Sequence, residues 1–292
     1  MRTPRHGADG TTSSSAWEAA WVRQVQLFVS CMVDLFRPET AIAAVSVLER
    51  RGVSVGFPEG QTCCGQFAYN AGHWDGALSM ATNLVDALSE GGTDAPIVGL
   101  SGSCVAMVRD EYPKLFAWAE DTHRPKTSAQ IYEAVAARLV EFSQWLVDEP
   151  SPEAPPSEGR PVALHVGCHM RRLLKATEEP HTVLERLGCP VVDYPDAEQC
   201  CGFGGTYSMT EPELSTAMAD LKLTYLAEAR GAGAEALVGG DWGCLLHLQG
   251  RLARREDPFP VLHVAEVVDL HDRGALSRDE IQRAGRFVRD RD

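Results

Sequence analysis

The residues of this chain best suited to chemistry are its cysteines, and their spacing repeats. Cys31 is followed, after 31 intervening residues, by the run Cys63-Cys64-Gly65. Cys168 is followed, after the same 31 residues, by Cys200-Cys201-Gly202. Cys104 and Cys244 complete two sets of four, each in the order single, pair, single. Four gathered thiolates suit a tetrahedral zinc ion or an iron–sulfur cluster. Structural zinc sites are usually built on knuckles of two cysteines a few residues apart, and neither half has one. Adjacent side chains diverge, so a vicinal pair suits a cluster several ångströms across better than one small ion. Gly65, Gly202, Gly204 and Gly205 let the backbone approach bulky sulfide. The spacing predicts one metal site per half, held by Cys31, Cys63, Cys64 and Cys104 and by Cys168, Cys200, Cys201 and Cys244, with zinc as the competing occupant.

Other residues stand near this frame. His165, His169 and His247 lie close to pattern cysteines in the chain, placed to donate to a cluster sulfur, replace a thiolate or relay a proton, or else simply to pack. Ser101 and Asp241 each precede a cysteine by three positions, so each is a candidate to face a cluster. Arg109, Arg171 and Arg172 are candidates for holding a carboxylate substrate. Cys189, the ninth cysteine, falls outside the pattern and reads as a small core hydrophobe.

The elements that must position these groups are duplicated too. LERRGVSVGFPEGQTCCG (residues 48–65) resembles LERLGCPVVDYPDAEQCCG (residues 184–202), and GLSGSCVAM (99–107) lies opposite GGDWGCLLH (239–247). The stretches around Val140-Glu141-Phe142 and Ala265-Glu266-Val267 look like a further matching pair. Each half alternates strands and helices. VRQVQLFVS, VSVGF and APIVGLSGSC read as strands leading to Cys31, Cys63 and Cys104; VALHVGC, PVVDYP and ALVGGDWGC do the same for Cys168, Cys200 and Cys244. Between them, Pro38 opens a helix to Gly52 with Ile42, Val45 and Leu48 on one face. A second helix carries Trp74, Leu78, Ala81, Leu84, Val85 and Leu88 and ends at Gly91-Gly92. Its counterpart carries Leu214, Met218, Leu221 and Tyr225. The expected fold class is α/β: two duplicated parallel-sheet halves, helices on their faces, related by a pseudo-two-fold axis. Ligands gather beyond the carboxyl ends of such strands, where every single cysteine and every pair is expected.

The domain expectation follows: a disordered leader over residues 1–20, a first repeat domain over 21–147, a proline- and acid-rich linker over 148–161, a second repeat domain over 162–275 and a tail over 276–292. The net charge of −14 over 292 residues excludes a polyanion binder, so no nucleic-acid partner is expected. No apolar run approaches the roughly 20 residues of a membrane span, and the first residues lack a signal-peptide core, so no transmembrane segment and a cytoplasmic location are expected. In that compartment disulfides rarely persist, which leaves metal binding or redox catalysis to explain the thiols. Neither a dinucleotide fingerprint nor a phosphate-binding loop is present.

The doubled single–CCG–single pattern resembles the cysteine-rich CCG domain, found in heterodisulfide reductases and in the iron–sulfur subunits of glycolate oxidase and anaerobic glycerol-3-phosphate dehydrogenase. The strings CMVDLFRPE, QTCCGQFAYNAG, SGSCVAMVR, CCGFGGTYS and GCLLHLQGRL look most like the lactate utilization protein A family. That resemblance implies a subunit of an L-lactate-oxidising complex with two partner subunits. It implies a small 2-hydroxy acid as substrate and electrons passing through iron–sulfur clusters, one or two per chain, held by the eight patterned cysteines. Two departures stand out. The heterodisulfide pattern has a fifth cysteine where this chain has Ser101 and Asp241, which favours an ordinary 4Fe–4S cluster. Phe67 stands where the lactate family suggests proline. Two alternative functions remain: a thiol–disulfide reductase of the heterodisulfide type, and a non-catalytic metal-binding or redox-sensing module.

Overall fold

The structure is a computed structural model that describes residues 23–90, 94–150 and 159–286. The expected leader and most of the linker, the Gly91-Gly92 helix end and the last six residues of the expected tail lie outside the described residues.

The first half runs β1 (Arg23–Phe28), α1 (Cys31–Phe36), α2 (Pro38–Arg50), β2 (Val53–Gly56), α3 (Gln66–Asn70), α4 (Trp74–Ser89), β3 (Ile97–Gly99), α5 (Gly102–Ala106), α6 (Tyr112–Asp121), α7 (Ala129–Arg138), β4 (Leu139–Glu141) and α8 (Phe142–Val147). The second half runs β5 (Val162–His165), α9 (Glu178–Arg186), α10 (Tyr207–Thr210), α11 (Pro212–Gly231), β6 (Ala236–Gly239), α12 (Trp242–Arg254), β7 (Val261–His263), α13 (Val264–Asp272) and α14 (Arg278–Ala284). A π-helical turn at Met107–Glu111 follows α5, and another at Met170–Leu174 follows Cys168.

Both sheets are parallel. The first has the order β2-β1-β3-β4 and the second β5-β6-β7. PVVDYP does not form the expected strand. It contributes one parallel bridge, Val191 to Val162, on the outer side of β5. Pro190 and Pro195 supply no backbone N–H at either side of it, which limits the ladder. With that bridge the second sheet repeats the order of the first. β3, β5, β6 and β7 are buried along their whole length, as parallel strands covered by helices must be.

The pseudo-two-fold relation is visible in the packing. α2 lies against α13 of the other half, and α9 lies against α8. One continuous core draws Val25, Leu27 and Leu48 from the first half together with Leu237, Trp242 and Val268 from the second. The halves are thus bound through buried surface, each lending helices to the other. Register assigns Glu141 to His263, since they pair with Gly99 and Gly239 respectively. The expected match of Glu141 with Glu266 is therefore three residues out of step.

Two helix faces also differ from expectation. On α2 the buried face is Thr40, Ala43, Ala44, Val47 and Leu48, while Ile42 points outward at 68% exposure. Small alanines there let α13 approach closely, so the bulk of Ile42 does not mark the inward face. On α11 the buried face is Ser215, Ala219, Lys222, Leu223, Leu226 and Ala229, whereas Leu214 and Leu221 are exposed. The inward face of α11 carries two polar residues because it borders the cysteines. The expected tail begins with α14, whose Ile281 is buried and whose neighbour Gly285 accepts from Gln249 Nε2 at 2.9 Å.

Candidate metal centre

In each half, the single cysteines sit just beyond two neighbouring inner strands: Cys31 after β1 and Cys104 after β3, Cys168 after β5 and Cys244 after β6. The chain leaves β1 toward one side and β3 toward the other, so this is the switch point where α/β sheets open a crevice. Helix caps fix three of the four singles there. Ser30 caps α1 beside Cys31, Ser101 caps α5 by accepting from Cys104 N at 3.3 Å, and Asp241 caps α12 by accepting from Gly243 N at 2.9 Å.

The pairs are delivered by left-handed glycine turns. Gly65 has φ +78° and Gly202 φ +89°, a region where an L side chain is strained. Both turns press on a helix. A Cβ at Gly65 would meet Ala77 O at 3.1 Å, and one at Gly202 would meet Ser215 O at 2.5 Å. Gln61 ties the first loop to its strand, accepting from Val29 N at 2.9 Å and donating to Leu27 O at 3.0 Å. The buried Tyr112 hydroxyl donates to Cys64 O at 2.8 Å. Sequence reasoning misses both residues, because a glutamine and a tyrosine aimed at backbone carbonyls leave no spacing signal.

All eight patterned cysteines line one cleft. Cys31 Sγ lies 3.5 Å from Cys63 Sγ, and Cys64 Sγ lies 3.3 Å from Cys104 Sγ. The two four-cysteine groups expected one per half therefore face a common opening, also bordered by Phe67, His169, Phe203 and Asp241. Phe67 and Phe203 meet edge to face at 5.7 Å, and Phe67 packs on Gly205. That contact explains an aromatic at the place where proline is expected: Phe67 joins the two CCG turns.

Crowding sets the protonation. Hydrogen bonds from Cys31 and then Cys64 draw the Cys63 thiol down to about 3, and Cys168 and Cys201 draw Cys200 down to about 2. Their partners are pushed the other way: Cys64 and Cys201 are raised, first by hydrogen bonds within their sulfur groups and then by burial. Four thiols this close cannot all ionise unaided. A multivalent cation removes that conflict by ligating them as thiolates. The donor set, the glycine cradles and this frustration fit a metal centre in each half.

The histidines divide. His169 lines the cleft with Nδ1 at 3.6 Å from Cys168 Sγ. His247 is half-buried, its Nε2 3.3 Å from Ser215 Oγ. His165 is fully buried at the end of β5 with both ring nitrogens unpartnered, and burial pushes it down to about 3. Its ring reaches the metal-ligand range of Cys201 and Cys244: the three donor atoms lie within 4.8 Å of one another.

Ser101 and Asp241 meet each other across the pseudo-axis. Asp241 Oδ2 accepts from Ser101 Oγ at 3.1 Å and from Ser103 N at 2.8 Å. Asp241 still borders the cleft, whereas Ser101 does not. None of the three candidate arginines lines it: Arg109 is exposed, Arg172 is exposed, and Arg171 pairs with Glu198. Cys189 is buried in the main core, and burial raises its thiol.

Comparison with known proteins agrees with this duplication. The cysteine-rich CCG domain matches twice, over residues 25–109 and 162–249. Lactate utilization protein A of Geobacillus kaustophilus is 40% identical over 253 residues, covering 84% of this chain and 98% of that protein. The chain belongs to the lactate utilization protein A family of CCG-domain proteins. Within it, the protein of the same name from Bacillus pumilus is 40% identical over 249 residues, 84% of this chain and 99% of that one. The family member from Halalkalibacterium halodurans is 36% identical over 256 residues, 86% and 98% respectively. Among solved structures, a hypothetical protein from Helicobacter pylori shares the fold, with a TM-score of 0.55 at 12% identity over 89% of this chain and 50% of that one.

Proposed function

We propose that this protein is an iron–sulfur redox subunit acting in L-lactate oxidation to pyruvate, assembled with two partner subunits in the cytoplasm. The observation that carries the reading is the convergence of all eight patterned cysteines on one cleft at two strand switch points. Cys31, Cys63, Cys64 and Cys104 would hold one cluster, and Cys168, Cys200, Cys201 and Cys244 the other, each most simply a 4Fe–4S cluster. Such clusters supply one-electron storage and transfer. The protein's own contribution is to hold the thiols with glycine turns and helix caps, and to bury Cys64, Cys104 and Cys201 away from water. Ser101 and Asp241, rather than cysteines, stand before Cys104 and Cys244 with their oxygens committed to caps and to each other; this weighs against a thiol–disulfide reductase.

The family name supports the lactate assignment, and no candidate lactate-binding arginine lines the cleft, so the substrate is assigned to a site completed by partners. No helix among the described residues is long and apolar enough to cross a membrane. Leu35 and Phe36, on α1 next to Cys31, are exposed apolar side chains suited to a docking partner. The test is anaerobic purification with iron, sulfide and zinc analysis. A brown protein with iron and acid-labile sulfide for two clusters is expected, falling to one in Cys63→Ser or Cys200→Ser. Stoichiometric zinc in a colourless protein overturns the proposal. With the partner subunits added, L-lactate should bleach the visible absorption.

A further inference from the structure

The duplication allows each residue around one centre to be compared with its structural twin around the other. Phe28 and His165 are twins, ending β1 and β5 opposite Gly99 and Gly239. The glycine turns fix the helices: Gly65 rests on Ala77 and Met80, Gly202 on Ser215 and Met218. Counting seven residues (two helical turns) onward from Ala77 and Ser215 makes Leu84 and Lys222 twins. Three residues past Cys104 and Cys244 stand Met107 and His247. Around the first centre this gives Phe28, Ala77, Leu84 and Met107, all buried and apolar. Around the second it gives His165, Ser215, Lys222 and His247.

Each polar member is oriented. Lys222 is 1% exposed, its Nζ donates to Ala197 O at 2.7 Å, and it lies 5.3 Å from the Tyr194 ring centre. The Cys201, Cys244 and Cys200 sulfurs are the charged groups nearest to act on its ammonium. Ser215 Oγ donates to Gly202 O at 2.8 Å and joins His247 to the glycine turn. His165 has no protein partner for either nitrogen, and Cys201 and Cys244 are the donors beside it. A buried lysine and an unpartnered buried histidine are costly in an apolar core, so their placement beside one centre and not the other has a physical consequence. Positive charge and hydrogen-bond donors at cluster sulfur favour the form carrying the extra electron.

We infer that the two centres are inequivalent: the Cys168, Cys200, Cys201 and Cys244 centre, with His165 against it and Lys222 beside it, is the higher-potential one and takes the first electron. This rests on the iron–sulfur reading above. The step is a one-electron transfer: a reduced mediator dye loses one electron, the second-half cluster gains it, and the first-half cluster stays oxidised. His165 and Lys222 act as positioning and tuning residues here.

The experiment is an anaerobic redox titration of the full chain followed by electron paramagnetic resonance, after iron and sulfide content has been measured. Two signals appearing at separate potentials are expected. Lys222→Met and His165→Leu should each shift the higher-potential signal downward and leave the other in place. Nitrogen hyperfine coupling on that signal should vanish in His165→Leu and persist in Lys222→Met. Leu84→Met, at the twin position, keeps both potentials and serves as the packing control. Full iron content with coincident potentials, or with the upper signal unmoved by Lys222→Met and His165→Leu, overturns the inference while leaving the cluster reading intact. Iron for a single cluster in the wild-type chain overturns the inference alone, and stoichiometric zinc in a colourless chain overturns both.

Discussion

Gly202→Ala separates steric delivery of the cysteine pair from ordinary backbone strain. The methyl group would lie 2.5 Å from Ser215 O and 2.9 Å from Met218 Cβ, both on α11, in a turn with φ +89°. Gly60, at φ +83°, and Gly72, at φ +79°, would meet nothing within 4 Å and so report the strain alone. Left-handed backbone costs an L residue about 1–2 kcal/mol, offset by about 0.4–1 kcal/mol from a less free unfolded chain. Gly60→Ala and Gly72→Ala should therefore destabilise by roughly 1 kcal/mol or less. Gly202→Ala adds a clash with fixed helix atoms, worth about 1–3 kcal/mol of overpacking, and should cost roughly 2–4 kcal/mol. Gly65→Ala, meeting Ala77 O at 3.1 Å, falls between. Urea unfolding of the metal-free chains measures the four costs side by side, and iron content of the reconstituted chains reports the position of the thiols. If Gly202→Ala unfolds at the same urea concentration as Gly72→Ala and keeps full iron, close packing of the CCG turn on α11 is not what places Cys200 and Cys201.

Two further outcomes test how the halves are joined and covered. Arg37 is buried across the interface, its Nη2 donating to Glu266 Oε1 at 2.9 Å and its guanidinium stacking 3.9 Å from the Trp242 ring centre, while Thr40 Oγ1 also donates to Glu266. Arg37→Met should cost about 3–5 kcal/mol in urea unfolding by leaving the carboxylate buried without its cation, and Glu266→Leu added to it should recover part of that loss; a single-variant cost below about 1 kcal/mol would contradict the network. Burial raises the Glu141 carboxyl to about 8, against the pull of Ser143 N and Gln144 N. The folded state thus holds this proton more tightly than the unfolded state, so its contribution is whole below about pH 4.5 and is lost as pH rises to about 8, at up to roughly 1.4 kcal/mol per unit. Glu141→Gln should flatten that decline in urea midpoints, and an unchanged slope would refute the assignment.

Much of the site is legible in the chain because cysteine is chemically distinctive and the duplication prints its spacing twice. The eight cysteines, the glycines of the turns, the strand–helix alternation and the exclusion of Cys189 all follow from residue type and repeat. Helix phase is less legible. On α2 small residues, not the bulky Ile42, face the partner helix, and on α11 Ser215 and Lys222 face inward while Leu214 and Leu221 face out. Apolar periodicity assumes that the inward face meets an apolar core, and it fails where the inward face meets a polar centre.

By itself the sequence determined which cysteine spacings repeat and that two similar parallel α/β halves carry them, since residue type and local periodicity are properties of the chain. Only tertiary structure decided that both groups open onto one cleft, that Ser101 and Asp241 bond across the pseudo-axis, and that His165 and Lys222 stand by one centre alone. Those facts depend on the docking of the halves and on how each strand end and helix face is turned. Docking joins residues 140 positions apart, such as Ser101 and Asp241, and no spacing along the chain encodes such a contact.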